Sequence, residues 1–438
     1  MTTNSTRRAR RPRRTWAVTG ALALGTGLVL VAPPGSGSAA ARPVNGIVCE
    51  TSDSNTFSLD ATSGYISTPD GNSIYSWGYA TTGGVFQLPG PTLCVASGST
   101  VTVVLHNKLP EPVSIVFPGQ SDVTANGAPA TAQLDGGGSL TSLVQPAAAT
   151  SGVVTYSFTA GSPGTYLYES GTDVSKQREM GLYGGLIVRP AGAPGRANSD
   201  AGSTFDPNRE FLFVLSEIDP ALHTAVERKR AFDYTKIKPR YFLINGRSMP
   251  DTLAPNFAAW LPSQPYGSLI HIEPYQTGDQ PALVRYLNAG AVNYPFHPHG
   301  NNQVVITRDG APAVDTNGAD SSYEKFLIDV GPGQSVDTLD RWQLEYDSAD
   351  DPIPSDIQLP QLQDQIVGPG TETWFSENPY LGGTPGELPP GIVQNSECGE
   401  YYHVAHSHAL DQATNYGASF GGMMTLIRID PRGGCAAS

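Results

Sequence analysis

Apolar and polar residues alternate with a period of two along much of the chain. In "STVTVVLHNKL" apolar residues recur at every second position, Val101, Val103 and Leu105, with Val104 the one break in the pattern, and in "GVVTYSFTA" Val154, Tyr156 and Phe158 are separated by Thr155 and Ser157. Side chains two apart on a strand share a face, so this pattern predicts strands with one buried side. "GTYLYES" and "YGGLIVRP" complete the strand-rich first half. The second half offers "REFLFVLSEI", "YFLING", "SLIHIEP", "ALVRYLNAG", "NQVVITRDG", "EKFLIDV", "EYYHVAHSH" and "GMMTLIRID". Gly and Pro punctuate these runs, as turns between strands require. Helical periodicity is scarce, and only "HTAVERKRAFDYTK", residues 223 to 236, reads as a short helix. This is also the one basic run, read as a solvated surface face. The chain is therefore expected to be all-β, built as two Greek-key β-sandwich domains at about 45–190 and 205–432. The small-residue stretch 191–204 between them reads as a linker. An acidic, proline-rich region, 347–370, reads as a long loop of the second domain that covers a site or an interface.

The first 41 residues stand apart. Six arginines at 7, 8, 10, 11, 13 and 14 precede an apolar stretch from Ala17 to Ala32, followed by small residues suited to cleavage. That is the layout of a signal peptide, and the arginine pairs point to the twin-arginine route or to the ordinary secretory one. The expected location is outside the cytoplasm, with no membrane span in the mature chain. Loss of six arginines and no acid moves the formal charge from −14 to −20. So acidic a surface argues against nucleic acid as a partner. Four cysteines, Cys49, Cys94, Cys398 and Cys435, suit an oxidising compartment. Three pairings are open, and Cys49–Cys94 with Cys398–Cys435, one bridge in each half, is the favoured one.

Histidine is distributed unevenly. Five of the eight lie in two clusters, "FHPHG" with His297 and His299, and "HVAHSH" with His403, His406 and His408. On a regular strand His406 and His408 share a face and His403 points the other way, as a packing residue. Lone histidines His106, His223 and His271 read as surface or hydrogen-bonded side chains. Ser407 beside two imidazoles is a poor hydrolase candidate, because strand neighbours point apart and no sharp strand-to-helix turn surrounds it.

"PGPTLCVASGSTVTVVLHNKLPEPVSIVFPG", "YSFTAGSPGTYLYESG", "INGRSMP", "RYLNAG…FHPHG…VITRDG" and "HVAHSH…GGMMTLIRI" resemble the multicopper oxidases, in order and over nearly the whole mature chain. The resemblance implies cupredoxin-like domains, a two-domain type, and assembly as a homotrimer. It also implies copper chemistry. In that family a mononuclear copper held by Cys, two His and often Met takes electrons from a reductant, and a three-copper cluster held by four His-x-His pairs reduces dioxygen. Here His297 and His299 match the third pair, and His406 and His408 the fourth. The bridging Cys is Ser407, and the mononuclear-site histidines fall at Tyr294 and Gln412. Gly422–Met423 resembles the axial-ligand segment but lies about six residues too far along. First-domain pairs are missing, with Val116 and Pro118 in one and Glu169 and Gly171 in the other.

The resemblance thus implies a reduced copper site of one or two ions, held by His297, His299, His406 and His408, with Glu169 as an optional ligand. Imidazole and carboxylate also suit zinc or other metals. An oxidoreductase acting on a small-molecule reductant with dioxygen or peroxide is expected, without the laccase-type relay, and its catalytic residues are not legible. Tyr294, Tyr401 and Tyr402 stand near the ligands but read mainly as packing. The competing expectation is a metal-free scaffold that binds a cell-envelope partner.

Overall fold

The computed structural model describes residues 44–342, 347–348, 351–352, 401–417, 421–430 and 433. Cys398, Cys435, residues 1–41 and most of the acidic loop at 347–370 lie outside them. Four main sheets make up the described fold, and it is all-β as expected. In the first half, Ser73–Thr81, Thr56–Ser67, Thr100–Asn107 and Val153–Thr159 lie side by side, extended by two short strands. Facing them is a three-stranded sheet of Gly164–Glu169, Tyr183–Arg189 and Leu93–Ala96. Parallel and antiparallel neighbours are mixed: Thr56–Ser67 runs parallel to Thr100–Asn107, which runs antiparallel to Val153–Thr159. The alternation is obeyed, since Val101, Val103 and Leu105 are fully buried and pack with Trp77, Tyr156 and Phe158.

The second sandwich has a sheet of Tyr241–Ile244, Glu210–Ile218, Ala282–Asn288, Ser335–Asp340 and Gln303–Arg308, with short edge strands. Its partner sheet has the order Ile270–Ile272, Met424–Ile429, Tyr401–Ser407, Tyr294–Pro298 and Ile328–Val330. Glu210–Ile218 is buried at all nine positions. One face, Phe211, Phe213 and Leu215, fills the second core. The other, Leu212, Val214 and Ile218, packs against Leu167, Tyr183 and Ile187 of the first sandwich. A strand buried on both faces carries no polar alternation, which is why "REFLFVLSEI" reads as a nearly continuous apolar run.

The contact between sandwiches also has a charged centre. Arg285 is fully buried; its Nε donates to Glu210 at 2.7 Å and its Nη1 to Asp337 at 3.2 Å and to Thr165 at 3.0 Å. Arg189 of the first sandwich donates to the other oxygen of Glu210 at 2.7 Å. Burial pushes the Glu210 carboxyl up, but Arg285 and Arg189 outweigh it and hold the group below the usual range.

Cys49 and Cys94 form the expected disulfide, with Cα atoms 5.5 Å apart. In the stretch between the sandwiches, Ala197 packs on Phe205, Leu283 and Leu339, and Asn198 donates to Ile306 O and Thr307 Oγ1. The helix forms at Pro220–Glu227, three residues earlier than the pattern predicts, because Asp219 caps it by accepting from Ala221 and Leu222 N–H. It ends before the basic run, where Lys229 takes positive φ, and only a single 3₁₀ turn at Tyr234–Lys236 follows. No helix among the described residues is long and apolar enough to cross a membrane.

Candidate metal centre

The strands Tyr294–Pro298 and Tyr401–Ser407 pair antiparallel with His297 opposite His406. Directly opposed residues share a face, and the i, i+2 spacing adds His299 and His408 to it. All four imidazoles therefore meet above one side of the sheet. His299 lies 4.5 Å from His297 between ring centroids, and His406 lies 5.1 Å from His299. His408 lies 5.2 Å from His297 and 5.8 Å from His406. The site grades from buried His406, through half-buried His297 and His299, to exposed His408.

Hydrogen bonds select the ring nitrogens. Nδ1 of His297 donates to Phe326 O at 2.5 Å, and Nδ1 of His406 to Ser407 O at 2.8 Å. Neutral rings so held present Nε2 as the lone pair. Nε2 of His406 faces Nε2 of His299 at 3.0 Å, so the His299 nitrogen carries the shared proton. Burial first, and the three neighbouring imidazoles besides, push His406 down to about 4 and keep it neutral. Among the described residues the donor atoms are not already set around one common point. The cluster is gathered, and a metal would draw its nitrogens together.

His403 faces away, as expected, and packs in the interior with its ring 4.7 Å from that of Trp342. His271 pairs with Asp430, and His223 is buried with Nδ1 2.6 Å from Tyr75 O.

On the opposite face, the positions that match the mononuclear copper site form a packed polar network. Ser407 is fully buried opposite Phe296 and donates to Gln412 Oε1 at 2.5 Å, while Gln412 donates to Asn293 O at 3.1 Å. Met423 N–H donates to Gln412 O at 2.9 Å, and Ser407 N–H to Met423 O at 3.1 Å. The extra residues before Met423 therefore do not keep it away. The turn closes because Gly422 has positive φ, and a Cβ there would meet Gln412 O at 2.4 Å. Tyr294 donates to the buried carboxylate of Glu217, which also accepts from Ala291 N–H at 2.5 Å. Burial pushes Glu217 up, and burial with the nearby charge of Glu217 pushes Glu179 up. The polar partners Glu217 and Asn293 carry no signal in the sequence, because they come from other strands and loops.

Glu169 lies in the first sandwich. It pairs backbone to backbone with Val116, so the two first-domain ligand positions are neighbours. Its carboxylate is 3.8 Å from Arg178 Nη1, and burial pushes it up against the opposing effect of Arg178. Oε2 is buried without a hydrogen-bond partner among the described residues. The ring contacts that define the histidine cluster do not include it.

Residues 79–193 match the family model described as multicopper oxidase. Over 271 residues, 58% of this chain, the sequence is 38% identical to an L-ascorbate oxidase of Cucurbita pepo var. melopepo, covering 43% of that protein. Over 268 residues, 60% of the chain, it is 27% identical to a probable nitrite reductase-hydroxylamine oxidoreductase fusion protein of Kuenenia stuttgartiensis, covering 26% of that protein. The chain thus spans less than half the length of the curated relatives it matches. The blue copper oxidase of Nitrosomonas europaea superposes with a TM-score of 0.55 and 18% identity over 85% of each chain, which establishes the fold. Over residues 79–193 in sequence, and in its cupredoxin-like fold, this chain is thus similar to the multicopper oxidases.

Proposed function

We propose that the protein is an exported copper oxidoreductase whose metal is held by His297, His299, His406 and His408. The observation that carries this reading is the convergence of four imidazoles, with His406 kept neutral beside its neighbours. The donor set fits copper, which favours imidazole nitrogen. Copper bound there would exchange single electrons with a small-molecule reductant and with dioxygen or peroxide.

The chain's own residues prepare the site. Phe326 O and Ser407 O fix His297 and His406 in the tautomer that offers Nε2. For His299 to offer Nε2 as well, the proton it shares with His406 would move to its Nδ1, a change of tautomer with no net proton release. The dismantled opposite face supplies no thiolate, so electrons do not enter through a blue centre.

Glu169 is assigned as an optional fifth ligand, brought by a neighbouring copy in a homotrimer. Two features support this: its buried Oε2, which accepts no hydrogen bond among the described residues and meets Arg178 only at 3.8 Å, and exposed apolar side chains near both sites. Phe326 and Leu410 stand beside the histidines, and Leu143, which donates its N–H to Gly171 O, stands on the Glu169 side. Apolar patches of this kind mark interfaces, and unlike patches that meet head to tail close a ring. Residues 1–41 are taken as the export signal, and 45–190 and 205–432 as domains joined by 191–204.

The test is elemental analysis with absorption and spin-resonance spectra after loading with Cu(II). Stoichiometric copper with a non-blue signal, lost in His297→Ala and His406→Ala, is expected. No stoichiometric metal under any loading condition would overturn the reading and favour a metal-free scaffold that binds a partner.

A further inference from the structure

The positive charge of this acidic chain is concentrated. Arg228, Lys229, Arg230, Lys236, Lys238 and Arg240 stand within thirteen residues, with Asp233 as the single acid among them. The helix ends before the run, so these cations are not a helical face. The run leads instead into the strand Tyr241–Ile244, and there Lys238 and Arg240 line a cavity of about 390 Å³. That volume is in the range of small-molecule sites.

The lining has a definite chemistry. Neither Lys238 nor Arg240 takes part in an ion pair among the described residues. Asp411 is the one carboxylate of the lining, so the cavity carries excess positive charge. The Arg240 guanidinium lies 5.4 Å from the centroid of the Tyr416 ring. Tyr416 is more than half exposed yet fixed: its N–H donates to Arg240 O at 3.0 Å and its ring meets Tyr241 edge-on at 5.3 Å. Phe242 supplies an apolar wall. Gln412 contributes an amide whose Oε1 accepts from Ser407 and whose Nε2 spends one N–H on Asn293 O. Its second amide N–H remains for a ligand.

We propose that this cavity binds a small planar organic anion, an aryl carboxylate being the simplest, with its charge between Lys238 and Arg240 and its ring against Tyr416 and Phe242. An inorganic anion would leave the aromatic walls uncovered, and a neutral arene would leave two cations without a counter-charge. A local positive field in an otherwise negative protein also draws anions that the rest of the surface repels. The site stands whether or not copper binds, although Gln412 ties its lining to Ser407, the residue after His406.

The test is calorimetric titration of the full chain with benzoate, and with benzamide and acetate as probes lacking the charge or the ring. Saturable benzoate binding is expected, at least about tenfold tighter than either analogue and weaker in added salt. Arg240→Gln should weaken it by at least about tenfold and the exposed Lys238→Gln by several-fold, while Lys325→Gln, a cation outside the lining, leaves it unchanged. Absence of saturable binding, equal affinity for benzamide, or wild-type affinity in both Arg240→Gln and Lys238→Gln would overturn the proposal.

Discussion

The strand Tyr401–Ser407 carries two opposite chemistries on its two faces. His406 looks toward three other imidazoles, of which His408 is exposed, whereas its neighbour Ser407 looks into a sealed core and is bonded to Gln412. One face keeps imidazole nitrogens gathered, held by Phe326 O, Ser407 O and one another. The other has replaced donors by hydroxyl, amide and phenol, each satisfied by a protein partner. A satisfied network has no call on a metal, and a gathered imidazole cluster does. The difference teaches that the two faces of one strand can carry separate chemistries, one gathered and one sealed.

The largest expected effect comes from breaking the histidine face. His406→Ala should lower copper affinity by on the order of 100-fold or more, read by competition with a chelator of known affinity. The converse experiment rebuilds the other face. Ser407→Cys alone should give no intense blue absorption, because Tyr294 and Gln412 are not imidazoles. Ser407→Cys with Tyr294→His and Gln412→His should give it on copper loading, since two imidazoles and a thiolate are the blue-copper set.

Acid separates the faces next. His406 has its pKa lowered to about 4 in the folded chain, chiefly by burial. The unfolded chain therefore takes up this proton first. In metal-free protein the stabilisation is complete above the ordinary value of 6.5 and is lost as pH falls from there toward about 4. The loss should reach about 2–3 kcal/mol in urea unfolding, and His406→Gln should remove that part of the slope. Gln412→Leu should cost about 1–3 kcal/mol by stranding Ser407 Oγ, with copper content unchanged. The smallest effect is expected at Glu169→Gln. It should weaken copper binding by no more than about tenfold, and only under conditions where sedimentation shows an oligomer.

Much of this was legible in the residues. The alternation of Val101, Val103 and Leu105 located a strand and its buried face, and His-x-His at 297 and 406 located the cluster, because strand period and pairing alone bring those rings together. Cys49 and Cys94 paired as favoured. Other features were not legible because they arise between segments. The second buried face of Glu210–Ile218 exists only because another sandwich covers it. The helix start depended on the Asp219 cap just ahead of the apolar pattern. Tyr294 and Gln412 were visible as lost ligands, but their new partners, Glu217 and Asn293, are set by tertiary packing. The basic run at 223–236 was read as a solvated face, and the two cations just after it, Lys238 and Arg240, line a cavity completed by Tyr416, far along the chain.

Arg285 has a consequence for how the protein comes apart. Its guanidinium is shared among Glu210, Asp337 and Thr165, and Arg189 reaches the same Glu210 from the first sandwich. Neither sandwich can swing away without breaking the Arg189–Glu210 ion pair and the hydrogen bonds of Thr165 to Arg285 and Asp337, in addition to separating the apolar surfaces. Hinge motion between the halves is thereby suppressed, and the two should melt in a single cooperative transition, one sandwich acting as the template that keeps the other folded.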